Sequence, residues 1–212
     1  MNPLRKTIAF VMVLALLPMA VLAQKAPKGK DQLVTISTPM GEMKLVLFDD
    51  TPLHKENFLK LAREGYYDGT TFHRVIDGFM IQGGDPNTKD SDPSNDGGGN
   101  PGYTVPAEIN PKYKHVRGAV AAARLGDQVN PKKESSGSQF YIVENHQGTP
   151  QLDEAYTVYG QVVDGLDVID KIAEQPVGGR NRPLSDIRMT VKVENIKKKK
   201  IARKYGYTYP QE

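Results

Sequence analysis

The chain has no cysteine and no tryptophan among its 212 residues. Without cysteine no disulfide can form and no lipoprotein acylation site exists; an exported chain that avoids thiols is compatible with an oxidising compartment. No internal repeat is visible. Ser135, Ser136 and Ser138 lack a nucleophile-elbow motif, which argues against a hydrolase. His54, His115 and His146 are scattered and show no metal spacing, so no metal site is expected. The glycines at 97–99 lack the Gly-Lys-Ser/Thr ending of a phosphate loop. Asp92, Ser94, Asp96 and Gly97 imitate the start of a calcium-binding loop. The twelfth position is Tyr103 rather than glutamate, and no helical patterns flank it.

What is present fits one soluble domain. Hydrophobic residues make up 38% of the chain and charged residues 25%, outside the ranges that mark disordered or membrane chains. Residues 1–23 stand apart. Arg5 and Lys6 precede an apolar run from Thr7 to Leu17, Pro18 breaks it, and Val21 and Ala23 give a small-residue cleavage pattern. That is the pattern of a secretory signal peptide, with an uncleaved membrane anchor as the alternative, for which the run is a little short and is interrupted by Pro18; a short linker follows at 24–31. Loss of Arg5 and Lys6 lowers the net charge from +3 to +1. Residues 197–212 are expected to be a solvated basic tail. In it Lys197, Lys198, Lys199, Lys200, Arg203 and Lys204 stand against Glu212 alone. The body is therefore acidic, and the basic balance marks no nucleic-acid face. Contact with anionic lipid would run only through this tail.

Strand patterns dominate the body. Leu33–Ser37 and Glu42–Phe48 alternate around Thr38-Pro39-Met40-Gly41 and predict a hairpin. Further runs lie at Thr71–Val75, Phe79–Gln82, Ala119–Arg124, Gln139–Val143, Thr157–Val163 and Ile187–Glu194. Two helices interrupt them. The first starts at Thr51-Pro52, a cap followed by proline, and ends before Gly65. Phe58, Leu61 and Ala62 form its apolar face. The second spans Leu166–Glu174, with Val168, Ile169 and Ile172 as its buried stripe. The stretch Asp85–Pro101 must be a loop, and Asp127–Ser136 a second, exposed one.

One segment draws the eye chemically: Thr71-Phe72-His73-Arg74-Val75-Ile76-Asp77-Gly78-Phe79-Met80-Ile81-Gln82-Gly83-Gly84-Asp85. A cation and an amide stand here with large apolar side chains, and Ser138-Gln139-Phe140-Tyr141 follows further on. Such a set suits a site that grips a neutral, greasy group by its carbonyl. His73, next to Arg74 in a strand, should point to the other face and serve packing rather than base catalysis.

The Phe-His-Arg-Val block, the Gly-Gly-Asp-Pro step, Tyr103–Glu108, Gly137–Ile142, and Leu152-Asp153 with Tyr156–Gly160 occur in the order found in the cyclophilin-type peptidyl-prolyl cis-trans isomerases. The chain resembles that family from about residue 32 to 196. The resemblance implies a closed eight-stranded antiparallel β-barrel capped by two α-helices, and a cofactor-free isomerase. It implies catalytic roles for Arg74 and Gln82. Phe79, Met80, Tyr141 and Leu152 would hold the proline ring. Gln139 and Tyr156 would line the groove, and the backbone at Ala123 and Arg124 would pair with the peptide. Gln151 stands where many eukaryotic members have tryptophan and Tyr156 where they have histidine, so tight cyclosporin binding is not expected. With the signal peptide, the resemblance suggests a monomer secreted across the inner membrane to the periplasm, working on proline-containing unfolded or exported polypeptides.

Overall fold

A computed structural model describes residues 27–210. The signal-peptide segment and the start of the linker, Gln24–Ala26, lie outside the described residues. The rest of the linker already belongs to the fold, because Lys30 and Asp31 open the first strand.

In chain order the elements are β1 (Lys30–Thr38), β2 (Gly41–Leu47), α1 (Pro52–Arg63), β3 (Phe72–Ile76), β4 (Met80–Gly83), β5 (Thr104–Val105), β6 (Ala119–Ala122), β7 (Ser135–Ser136), β8 (Phe140–Val143), β9 (Val158–Asp164), α2 (Leu166–Ala173), β10 (Thr190–Lys197) and α3 (Lys198–Tyr205). Eight of the strands make one antiparallel sheet in the order β10-β1-β2-β9-β6-β8-β4-β3, while β5 and β7 pair separately. All eight strand segments read from the sequence are in the large sheet.

The expected closure is not found. The sheet is an open half-barrel, because its edge strands β3 and β10 share no ladder. Near that seam the chain makes one isolated bridge, Thr71 to Arg188. The helix count also differs, since α3 joins α1 and α2. Residues expected to be a solvated tail pack on the sheet instead. Ile201 of α3 is fully buried against Leu33 and Val46, and Tyr207 and Tyr209 fold over beside it. Gly206 ends α3 at φ 67°, a left-handed conformation that glycine adopts without a Cβ clash. Lys197, Lys199 and Lys200 stay exposed while Lys198 tucks in toward Asp49 at 3.5 Å, so the charge run conceals an amphipathic turn.

Strand periodicity assigns the two faces. On β8, Phe140 and Ile142 enter the main core beside Val120, Ala122 and Ile81. Tyr141 and Val143 point the other way and join Met80, Ala119, Ala121 and Val158 in a second cluster. A strand that is apolar at every position is thus buried on both sides. The inner face forms the core, and the outer face an apolar floor.

Helix α1 buries Phe58, Leu61 and Ala62 as expected, but its N-terminus is capped from a distance. The Thr51 side chain gives no cap and instead donates to the Phe48 carbonyl at 3.3 Å. The Glu108 carboxylate accepts the amides of Leu53 at 3.0 Å and His54 at 2.9 Å. No acidic residue lies in the first turn, so Glu108 also supplies the negative charge the helix dipole favours there. Replacing Glu108 by alanine is expected to lower stability by about 1–3 kcal/mol in urea unfolding. Thr51→Ser, which keeps its hydroxyl, should change it far less. An unmoved midpoint for Glu108→Ala would contradict the remote cap.

Candidate active site

The functional side chains come together through register. Arg74 on β3 pairs with Gln82 on β4, Gln82 with Tyr141 on β8, and Tyr141 with Ala121 on β6. These residues form one row across the outer face. A second row, Ile76–Met80–Val143, runs beside it. Arg74 reaches this face because of a bulge. Phe72 pairs with Gly83 and Arg74 with Gln82, which leaves His73 as the extra residue. In regular alternation Arg74 would share the inward face of Phe72. The bulge turns it outward, as bulges do beside functional sites. His73 itself is buried and approaches Gly97, a packing position.

A hydrogen-bonded relay fixes the guanidinium. Arg74 donates from Nη1 to Gln82 Oε1 at 3.3 Å, and the Met80 thioether sulfur lies 4.0 Å from the same nitrogen. Gln82 Nε2 donates to Gln139 Oε1 at 3.2 Å. Gln139 Nε2 donates to the carbonyls of Gly97 at 3.0 Å and Gly99 at 2.7 Å. Carbonyls only accept, so the Gln139 amide group must face them. That choice orients Gln82, and Gln82 in turn presents its oxygen to Arg74. Among the described residues Arg74 makes no ion pair, so its charge is not already neutralised.

The loop 85–101, legible in sequence only as turn chemistry, anchors this relay. The fully buried Asp85 carboxylate accepts the amide of Asn87 at 2.8 Å, that of Gly99 at 3.2 Å, and that of Gly97. A Cβ at position 99 would overlap the Asp85 carboxylate, so only glycine fits there.

Phe79, Met80, Tyr141, Leu152 and Tyr156 all belong to the outer apolar cluster. The Tyr141 and Tyr156 rings meet edge to face with centroids 5.8 Å apart. Arg124 lies 4.5 Å above the Tyr156 ring and donates from Nε to the Ala155 carbonyl at 3.0 Å. Gln151 is exposed beside Leu152. Ala123 sits differently from the expectation. Its N–H donates to the Gln139 carbonyl at 3.0 Å and its carbonyl accepts from Ser136 at 2.8 Å. Its donor is therefore used inside the protein, and only a second carbonyl lone pair remains for a peptide.

Two histidines set aside as scattered turn out to be buried, with a polar partner at each ring nitrogen. His115 Nδ1 lies 2.8 Å from Asp153 Oδ1, and its Nε2 lies 2.9 Å from the Tyr141 hydroxyl. The carboxylate can only accept, so Nδ1 carries the proton and Nε2 accepts from the tyrosine. Burial drives the Tyr141 pKa upward, keeping that hydroxyl a donor. His54 similarly links Glu108, 2.7 Å from its Nδ1, to Ser135, 2.9 Å from its Nε2. Neither role was accessible to spacing, because each partner lies far away in sequence.

The family model described as cyclophilin-type peptidyl-prolyl cis-trans isomerase matches residues 33–193. A peptidyl-prolyl cis-trans isomerase of Arabidopsis thaliana is 40% identical over 163 residues, covering 74% of this chain and 91% of that protein. A putative isomerase of Staphylococcus saprophyticus is 34% identical over 188 residues, covering 75% and 89%. The crystal structure of a Cryptosporidium parvum cyclophilin-type isomerase superposes with a TM-score of 0.68 at 32% identity, covering 77% of this chain and 97% of its own.

Burial, the largest influence on each, holds the pKa values of His54, His73 and His115 below the ordinary 6.5. The fold thus favours their neutral forms. Their contribution to stability is complete above about pH 6.5 and is lost as pH falls through that value toward the depressed folded ones. The melting temperature is expected to drop between about pH 7.5 and about pH 5.5, and His115→Gln should flatten part of that slope. A flat profile in the wild type would contradict this account.

Proposed function

The chain belongs to the cyclophilin-type peptidyl-prolyl cis-trans isomerase family, and on that premise we propose that Arg74 stabilises the twisted X–Pro bond while the outer apolar cluster holds the proline ring. The observation that carries this reading is the row of Arg74, Gln82 and Tyr141 beside Met80 on one face of the sheet.

An X–Pro bond turns slowly because its nitrogen lone pair is delocalised into the carbonyl, with a barrier of roughly 18–20 kcal/mol and isomerisation in tens to hundreds of seconds. No bond need break. Midway through rotation the lone pair is localised on a pyramidal nitrogen, which then accepts a hydrogen bond that the planar ground state does not. A donor placed there stabilises the transition state selectively. A guanidinium suits the task, being permanently charged and weakly hydrated in a half-buried groove. The relay through Gln82 and Gln139 holds it in place before substrate arrives, so little reorganisation is needed. Phe79, Met80, Tyr141 and Leu152 supply the apolar slot, with Tyr156 and the Arg124 stem closing one wall. Arg124, whose backbone follows the occupied Ala123, pairs with the peptide main chain.

The signal-peptide pattern of residues 1–23 supports placing this activity outside the inner membrane, in the periplasm, where proline-containing exported chains fold. No cofactor is required by such chemistry, and a monomer suffices for it.

Purified chain should accelerate cis-to-trans isomerisation of an X–Pro peptide. Arg74→Ala should lose at least about tenfold in kcat/KM, and up to a few hundredfold if the donor supplies the 3–4 kcal/mol typical of such groups. Equal activity in the folded variant would remove Arg74 from the mechanism and leave the family assignment untouched. Absence of activity in both would turn the reading toward a proline-binding protein.

A further inference from the structure

We propose that Glu144, His146 and Asp170 form a binding site for a divalent first-row transition ion such as Zn²⁺, separate from the peptide groove. Each of the three offers one ligand atom, and these atoms lie within 4.8 Å of one another. Glu144 and His146 lie in the segment that follows β8, and Asp170 projects from α2. His146 is exposed and gives an ion access from solvent, whereas Glu144 is 4% exposed.

The site has unmet valence. Glu144 Oε2 and Asp170 Oδ1 are buried and have no hydrogen-bond partner. An orphaned carboxylate oxygen in a protein interior needs an explanation, and a bound cation is one. His146 Nε2 lies 3.3 Å from Asp170 Oδ1 and 3.8 Å from Glu144 Oε1, within ion-pair reach when the imidazole is protonated but without hydrogen-bond geometry to either oxygen. Metal–nitrogen and metal–oxygen bonds near 2.0–2.2 Å in a tetrahedron put ligand atoms about 3.3–3.5 Å apart. The histidine–aspartate pair already has that spacing. The glutamate must close by a few tenths of an ångström to join the histidine, and the widest gap, up to 4.8 Å, by more than an ångström.

The surroundings fit a ligand set. Arg117 pairs with Asp170 through Oδ2, leaving Oδ1 turned toward His146. Outer partners of this kind orient ligating carboxylates. One imidazole with two carboxylates, leaving positions for water, selects Zn²⁺ and its neighbours over Ca²⁺, which takes more oxygens. The backbone amides of Glu144 and Asn145 both point at the Phe79 carbonyl, at 3.0 Å and 3.3 Å, so the site backs onto the turn that carries one wall of the groove.

The test is calorimetric titration of the untagged chain with Zn²⁺ alone, alongside melting with and without the metal. The expected result is one saturable site of micromolar or tighter affinity and a melting temperature raised by Zn²⁺ and restored by a chelator. His146→Ala, a surface change that leaves the fold intact, should weaken binding at least tenfold, as should Glu144→Gln, which keeps the buried volume. No saturable binding in the wild type, or undiminished binding in either variant, would overturn the site.

Discussion

The site depends on one buried carboxylate. Asp85 gathers the amides of Asn87, Gly97 and Gly99, and so gives a long loop a single conformation. Fixing a loop costs backbone entropy of roughly 1–2 kcal/mol per residue. Charge-assisted hydrogen bonds in a dry setting are strong enough to offset much of that. The carbonyls of Gly97 and Gly99 then become a fixed template for Gln139. From there polarity passes through two amides to Arg74. Among the described residues Arg74 has no carboxylate partner and is held by neutral groups, which leaves its charge unpaired as the proposed mechanism requires.

The sheet supplies the surface on which this relay acts. Its central strands are apolar on both faces, which normally marks a strand covered on both sides by other elements. Here the inner face is filled by α1, α2 and the rest of the core, while the outer face holds Tyr141, Met80 and Ala121 as a floor. His115 keeps the Tyr141 hydroxyl satisfied from behind, which leaves the ring free to present its apolar side.

Local periodicity made the strands legible: each of the eight expected segments entered the large sheet, and α1 and α2 began and ended close to their turn residues. The residues that register gathers on the outer face were legible too, as an ordered set of motifs around Arg74, Phe79–Gln82 and Gln139–Tyr141. What escaped were long-range events. Closure depends on whether two distant edges pair, which alternation within a strand does not encode. The cap of α1 comes from Glu108, far along the chain, while the adjacent Thr51 turns elsewhere. The bulge at His73 is invisible because it is defined against β4. The lysine run hid α3, whose one deeply buried residue, Ile201, gives too narrow an apolar stripe to stand out.

In the proposed mechanism Gln139 acts through Arg74, by orienting Gln82 and with it the guanidinium. The direct measurement is a double-mutant cycle on kcat/KM with Arg74→Ala and Gln139→Leu, singly and together. If the relay operates, Gln139→Leu lowers activity in the wild type and has almost no further effect once Arg74 is gone. Fully additive losses would show that Gln139 works on the peptide independently, and would contradict the relay.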